Sequence, residues 1–317
     1  MFQRSPGVHS KRSEERRVRK RQQTEARRKL LGRKRLFHKT TGDAAYGVYA
    51  ERPDLNDEDY SYKKDKFLAE INIDELGILE IEKDTRGQQN SARWMLERKK
   101  RLTASNFGVV CNKLPTTKCD TIIKKLLYFD LSTEAMRYGK RHEVDAINAL
   151  QNLNHNVSPC GLFIDKDLPF LAASPDGLVG NDGIIEVKCP AKCYDITPDE
   201  GILSRKVTFW KVDKTKKNIL GINTNHIFYY QVQGQLHITR KSFCLFVLWT
   251  PKGIKIENIK RDDEFWENKM EQKLKNFYFD CLLPEIIDPR FTRSLPIRNP
   301  QYIVIAAINE KNSKITV

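Results

Sequence analysis

Two carboxylates and a lysine are the residues of this chain best placed to do chemistry. Asp176 sits in the turn Ser174-Pro175-Asp176-Gly177, and Glu186 and Lys188 follow within Gly183-Ile184-Ile185-Glu186-Val187-Lys188-Cys189. Asp and Gly suit a tight turn, because Asp hydrogen-bonds nearby backbone and Gly tolerates positive φ. The segment that follows is rich in β-branched residues and reads as a strand. Side chains alternate across a strand, so Ile184, Glu186 and Lys188 share one face, and Ile185, Val187 and Cys189 the other. Two short strands joined at Asn181-Asp182 would carry Asp176 close to Glu186. Paired carboxylates in an oxygen-rich shell suit a hard cation such as Mg²⁺. A neighbouring lysine can orient or activate a water and offset charge developing at phosphorus.

Such groups need a scaffold, and the surrounding pattern supplies one. Helices are expected over Ser91–Arg101, Asp120–Phe129, Thr133–Leu153 and Ile227–Ile238, with a long final one over Asp263–Phe279. Strands are expected over Leu162–Ile164, Phe170–Ala173, Ile184–Cys189, Phe243–Trp249 and Ile254–Ile259. Helices and strands alternate, so the class is α/β with a mixed β-sheet flanked by helices. A hydroxyl of Thr103-Ala104-Ser105 is placed to cap the helix after it. Glu143 shares a helical face with Gly139, Ala146, Ile147 and Leu150. A carboxylate there needs a partner, because burying an unpaired charge is costly. An edge-of-core salt bridge would satisfy it, as would a place in the site. Asp145 reads as solvated. Gln231 shares a face with Ile227, Gly234 and Ile238, and Gly234 would let that helix close on the sheet. Gln235 lies one turn further on. Thr41–Lys66 is polar and reads as linker, and Phe67–Ile81 as a short packed helix.

The Pro175-Asp176 and Glu186-Val187-Lys188 pair is the PD-(D/E)XK pattern, and four blocks in order extend it. They are Arg98 to Gly108 with Thr103-Ala104-Ser105, Tyr138-Gly139 to Glu143, Gly161 to Pro190 around the two carboxylates, and Tyr229-Tyr230-Gln231-Val232-Gln233 to Leu236. From Arg93 to Glu285 the chain resembles the YqaJ-like viral recombinase or lambda-exonuclease family of the PD-(D/E)XK nuclease superfamily. Tyr138 stands where the family usually has Trp, and a Lys-rich stretch precedes the fourth block. The resemblance implies a restriction-endonuclease-like core and a Mg²⁺-dependent deoxyribonuclease, with Mn²⁺ as a substitute. It implies a 5′→3′ exonuclease on duplex DNA ends, acting in recombination or DNA processing. It places Asp176, Glu186, Lys188, Gln231 and Glu143 in catalysis, and Asp176, Glu186 and the Val187 carbonyl on the metal. Arg98, Ser105 and Ser174 would bind the terminal 5′-phosphate, although basic runs such as 98–101 are commonly just solvated. DNA, further copies of the chain and a single-strand annealing protein are the implied partners. Two alternatives stay open: an endonuclease of the same fold, and a non-catalytic DNA-binding protein.

Charge is unevenly spread. Residues 1–40 carry a net +12, whereas the other 277 residues carry only +3. Blocks of this kind are typically disordered interaction arms. Clusters at Arg16–Arg21 and Arg33–Arg35 also read as nuclear-localisation signals. No apolar leader or membrane-length run is visible, and the seven cysteines include no C-x-x-C pair. An intracellular, reducing location follows from that usage, nuclear if the arm is an address. Cys189 and Cys193 would make only half a zinc site. The expected organisation is a basic arm at 1–40, a linker with a short packed segment at 41–90, a nuclease domain at 91–288 and a C-terminal tail at 289–317.

Overall fold

The structure is a computed structural model that describes residues 54–129, 132–215 and 217–315. The basic arm at 1–40 lies outside them. The chain divides into two units, Met1–Leu55 with Pro289–Ile297 and Asn56–Asp288 with Arg298–Val317. In the described part of the first, Asp54 pairs with Arg290 at 3.3 Å and Arg293 at 3.0 Å.

The second unit is built on a mixed five-stranded sheet in the order β10-β9-β6-β5-β2. The strands are β2 (Val157–Ser158), β5 (Gly177–Val179), β6 (Gly183–Lys188), β9 (Phe243–Thr250) and β10 (Gly253–Lys260). β5 and β6 form the expected hairpin, turning through Gly180 at φ 57°. β6 then runs parallel to β9, with Glu186 opposite Phe246 and Lys188 opposite Leu248. A three-stranded sheet holds β1 (Leu102–Thr103), β4 (Leu171–Ala173) and β3 (Phe163–Ile164) in the order β1-β4-β3. β1 is parallel to β4.

Alternation along β6 sends its side chains to two cores. Ile184 packs with Val232, Leu236, Cys244, Phe246 and Leu248 on one face. Ile185, Val187 and Cys189 pack with Ala146, Leu150, Leu245 and Val247 on the other. Helices therefore flank both faces of the strand that carries the expected chemistry.

Eight helices precede or support these strands: α1 (Asp57–Ile71), α2 (Glu75–Asp84), α3 (Ala92–Lys100), α4 (Phe107–Cys111), α5 (Asp120–Leu127), α6 (Glu134–Asn152), α7 (Pro198–Leu203) and α8 (Ile227–Thr239). Ser91 caps α3 by accepting from the Trp94 amide, and Thr133 caps α6 by accepting from the Met136 amide. Several expectations are corrected here. The supposed linker over Thr41–Lys66 contains most of α1, whose N-cap Asn56 accepts from the Asp59 amide. The long helix does not stop at Phe279. A helical run over 263–287 includes π-helical turns at Trp266–Glu271 and Tyr278–Leu282, and a further helix follows at Gln301–Ile315. The Lys-rich stretch holds a two-stranded ribbon, β7 (Trp210–Val212) and β8 (Ile219–Ile222). Gly234 packs on α4 rather than the sheet, since a Cβ there would lie 2.3 Å from the Phe107 ring. No described helix is long and apolar enough to cross a membrane.

Candidate active site

Asp176 enters the site as an extension of the β5–β6 ladder. Its amide donates to the Ile185 carbonyl at 3.0 Å, and its Oδ2 accepts from the Val187 amide at 2.7 Å. A side-chain oxygen thus stands where a backbone acceptor would otherwise pair, which fixes the carboxylate against β6. The turn is also held from behind. Gln88 donates to the carbonyls of Pro175 at 2.9 Å and Cys160 at 3.2 Å.

Glu186 is 2% exposed and lies under three donors. Its Oε1 accepts from Lys188 Nζ and, at 2.7 Å, from Gln231 Nε2. Its Oε2 accepts from Gln235 Nε2 at 2.6 Å. Gln231 and Gln235 are one turn apart on α8, so their i,i+4 spacing delivers both amides to one carboxylate. Gln233, between them, faces away; it donates to the Lys260 carbonyl and accepts from the Asp262 amide, each at 2.9 Å. Lys188 Nζ lies 4.5 Å from the Phe228 ring centroid, a cation–π arrangement.

The electrostatics follow from this crowding. Burial, then Glu186, then Glu143 push the Asp176 carboxyl well above the usual carboxylate range, against the pull of Lys188 and the Val187 amide. Burial draws Lys188 down, but Glu186 and Asp176 more than offset it and leave its pKa above that of an ordinary lysine. Glu143 acts from α6, on the far face of β6. Its own carboxylate takes Lys140 Nζ at 3.1 and 3.3 Å. Asp145, expected to be solvated, is 46% exposed and also bonds His142 Nδ1 at 2.7 Å.

The residues expected at a phosphate are partly assembled. The Arg98 guanidinium sits 4.2 Å from the Trp94 ring centroid. It makes no hydrogen bond or ion pair among the described residues, and desolvation draws its pKa down to about 10. Trp94 Nε1 donates to Ser174 Oγ at 2.8 Å. A chain of contacts therefore runs from Arg98 through Trp94 and Ser174 to the Pro175-Asp176 turn. Lys100 and Arg101 of the basic run have other uses. Lys100 pairs with Glu97 at 3.0 Å. Arg101 is 2% exposed and donates to the carbonyls of Ile71 and Pro169. Ser105 bonds within its own turn. It lies in the 3₁₀ turn Ala104–Asn106, with Oγ 3.3 Å from both Thr103 Oγ1 and Asn106 Nδ2. Parallel pairing of β1 with β4 nevertheless puts Ser105 and Ser174 just beyond the same ends of adjacent strands. The expected hydroxyl cap on α4 is not made; that helix has no side-chain cap bond.

The residue pattern had not singled out Trp94 or Phe228. Trp94 was detectable, because it lies four residues before Arg98 on a helix, where side chains meet. Phe228 carries no comparable signal.

A divalent cation can be tested against the groups present. Asp176 Oδ1 accepts no hydrogen bond among the described residues, and Glu186 Oε2 has a lone pair beyond the one used by Gln235. The Val187 amide is used on Asp176, and its carbonyl, the group expected on the metal, is a separate oxygen on the same residue. No three His, Cys, Asp or Glu side chains of the described residues gather into a metal cage. The set still fits Mg²⁺, which is usually held by one or two carboxylates, waters and substrate phosphates. All seven cysteines are buried free thiols, Cys189 and Cys193 included.

Residues 93–242 match the YqaJ-like viral recombinase domain. The chain is 26% identical over 219 residues to the alkaline nuclease of Orgyia pseudotsugata multicapsid polyhedrosis virus, covering 64% of this chain and 51% of that protein. It is 23% identical over 229 residues to the alkaline nuclease of Autographa californica nuclear polyhedrosis virus, covering 66% and 53%. The chain spans about half the length of these curated relatives. Among solved structures it is similar to an alkaline exonuclease from Laribacter hongkongensis, at 24% identity and a TM-score of 0.47, over 64% of this chain and 97% of that one.

Proposed function

We propose that this chain, whose residues 93–242 match the YqaJ-like viral recombinase domain, is a metal-dependent deoxyribonuclease, a 5′→3′ exonuclease that digests duplex DNA from its ends. Asp176 and Glu186 would hold Mg²⁺, or Mn²⁺ in its place; when bound, the cation supplies Lewis acidity and a water of lowered pKa. Lys188, kept protonated by its two carboxylate neighbours, orients the attacking water and offsets charge on the scissile phosphate. Gln231 and Gln235 fix the rotamer of Glu186. Glu143 adds negative charge from across β6 and favours a cation at Asp176. An exonuclease of this kind fits a role in recombination, beside a single-strand annealing partner and further copies of the chain.

The observation that carries the exonuclease reading is the Arg98 guanidinium, which rests on the Trp94 ring and makes no hydrogen bond or ion pair among the described residues. A guanidinium that is partly desolvated and has no carboxylate is costly unless it awaits an anion. Its planar fork matches phosphate oxygens. Ser174, tied to the same Trp94, places that anion beside Asp176, and Ser105 supplies a further hydroxyl from the adjacent strand end. A terminal 5′-phosphate is the anion that would mark a strand end. Arg98→Ala should slow digestion of 5′-phosphorylated duplex by roughly ten- to a hundredfold, the worth of a charge-assisted contact of ~1.5–3 kcal/mol. Digestion of 5′-hydroxyl duplex should change little, and a circular duplex should stay intact. Equal slowing on both linear substrates would remove the 5′-phosphate pocket, and cleavage of the circle would favour an endonuclease.

A further inference from the structure

The β7–β8 ribbon is the part of the Lys-rich stretch that the cleavage chemistry leaves unused. Among its described residues it carries Lys211, Lys214 and Lys217 against Asp213. Lys211, Lys214 and Lys217 are exposed, and none forms an ion pair among the described residues. Lys211 Nζ reaches only the Thr224 hydroxyl, at 3.4 Å.

The one acid is spent on the loop itself. Asp213 Oδ2 accepts from the Thr215 hydroxyl at 2.8 Å and Asn218 Nδ2 at 2.7 Å, and its Oδ1 accepts from the Lys217 amide at 2.9 Å. Its amide donates to the Asn218 carbonyl at 3.0 Å. These bonds shape the tip and hold the Asp213 carboxylate, whose single negative charge leaves the tip lysines in excess. Glu257 of β10 lies against the ribbon's root, 3.4 Å from Trp210 Nε1.

The foot of the ribbon is anchored beside the candidate site. The Phe209 carbonyl accepts from the Asn223 amide at 2.9 Å, closing the base. The Phe209 ring lies 5.1 Å from Phe228 and 5.6 Å from His226, centroid to centroid. Phe228 is the ring beneath Lys188. A mobile basic tail could neutralise phosphates anywhere, but this ribbon rises from a fixed aromatic base next to the residue that would meet the scissile phosphate. Four residues of strand reach about 13 Å. That length spans roughly four phosphates along one strand of a duplex.

We propose that the β7–β8 ribbon is a backbone clamp, in which Lys211, Lys214 and Lys217 neutralise duplex DNA phosphates about one to four nucleotides from the scissile bond. The proposal rests on the nuclease reading given above. Contacts of this kind carry no sequence information and set register and affinity.

The test uses the full chain, an end-labelled 20-base-pair duplex and EDTA to prevent cleavage. Binding is measured by fluorescence anisotropy across salt concentrations. Each phosphate contact contributes about 0.9 to the slope of log affinity against log salt. The triple variant K211A/K214A/K217A should lower that slope by roughly two to three units. The triple variant K63A/K66A/K83A, which removes exposed lysines of α1 and α2, should leave the slope within about half a unit of wild type. An unchanged slope in the ribbon variant overturns the clamp, as does an equal drop in both variants. Glu186→Gln is assayed for cleavage in parallel. Full cleavage by that variant overturns the nuclease reading, whereas loss of cleavage with an unchanged ribbon slope overturns the clamp alone.

Discussion

Gln233 and Gln235 are two residues apart, equally buried and chemically identical, yet they serve different partners, which gives a sharp internal control. Gln235→Met keeps the length of the side chain and removes the donor to Glu186 Oε2. The lost bond is to a buried carboxylate, so about 1.5–3 kcal/mol of stability should go with it. For a domain of this size that is a fall in Tm of roughly 3–12 °C. Gln233→Met strands the Lys260 carbonyl and the Asp262 amide instead. It should cost a similar amount, since an unmet buried polar group costs about 1–3 kcal/mol. Cleavage should separate the two. Glu186 loses one of three restraints in Gln235→Met, and a carboxylate displaced by even ~1 Å can cost about a hundredfold. A loss of roughly ten- to a hundredfold in single-turnover cleavage of linear duplex is expected for Gln235→Met. Less than about threefold is expected for Gln233→Met, whose bonds lie away from the reacting atoms. Both assays are run well below the lower Tm. Equal losses of cleavage would refute the assignment of the two faces of α8 and, with it, the view that Gln235 acts by positioning Glu186.

The remaining predictions concern charge and the phosphate pocket. Asp176→Asn should abolish cleavage yet raise the metal-free Tm by at least about 2 °C, because it removes a buried carboxylate beside Glu186 and Glu143; a lower Tm in EDTA would contradict the electrostatic account. His237 is stacked on Trp266 at 3.9 Å, and burial, followed by Arg240 and Arg261, draws its pKa down from 6.5 to about 4. The unfolded chain therefore binds the extra proton first, so stability is complete above pH 6.5 and declines as pH falls toward 4. His237→Phe should flatten Tm against pH in that window, and an unaltered acid limb would assign the loss elsewhere. Trp94→Phe keeps a ring under Arg98 but deletes the bond to Ser174. It should weaken discrimination between 5′-phosphate and 5′-hydroxyl ends less than Trp94→Ala does, as measured by the ratio of initial rates.

How much was legible in the chain depended on how local the cause was. The β5–β6 hairpin could be read because alternation and a Pro-Asp-Gly turn are encoded within a dozen residues. The helix bearing Gln231 was readable from its period. The partner of Glu186 at Oε2 was visible only as a second candidate, since sequence spacing does not say which of three glutamines turns inward. The direction of Gly234 was misread for the same reason: helical period gives a face, and tertiary packing, here against Phe107, decides what that face meets. Within the basic run at 98–101, four similar side chains take different fates because burial depends on α1 and on the loop at Pro169, both far away in sequence. The ribbon in the Lys-rich stretch was hidden because its strands are short and its tip is polar, so neither period rises above the background.

The ribbon's construction also bears on how this chain could diversify. The foot is set by an aromatic cluster, the β7–β8 pairing and the Asn223–Phe209 backbone bond, whereas among the described residues the tip is organised by Asp213. Changes in tip length or charge are therefore mechanically insulated from Lys188 and Glu186. Grip on the substrate and the bond-breaking centre can be tuned separately. If the ribbon is the proposed clamp, a variant with a longer or more basic tip, grafted between Val212 and Ile219, would change DNA affinity without rebuilding the proposed site at Lys188 and Glu186.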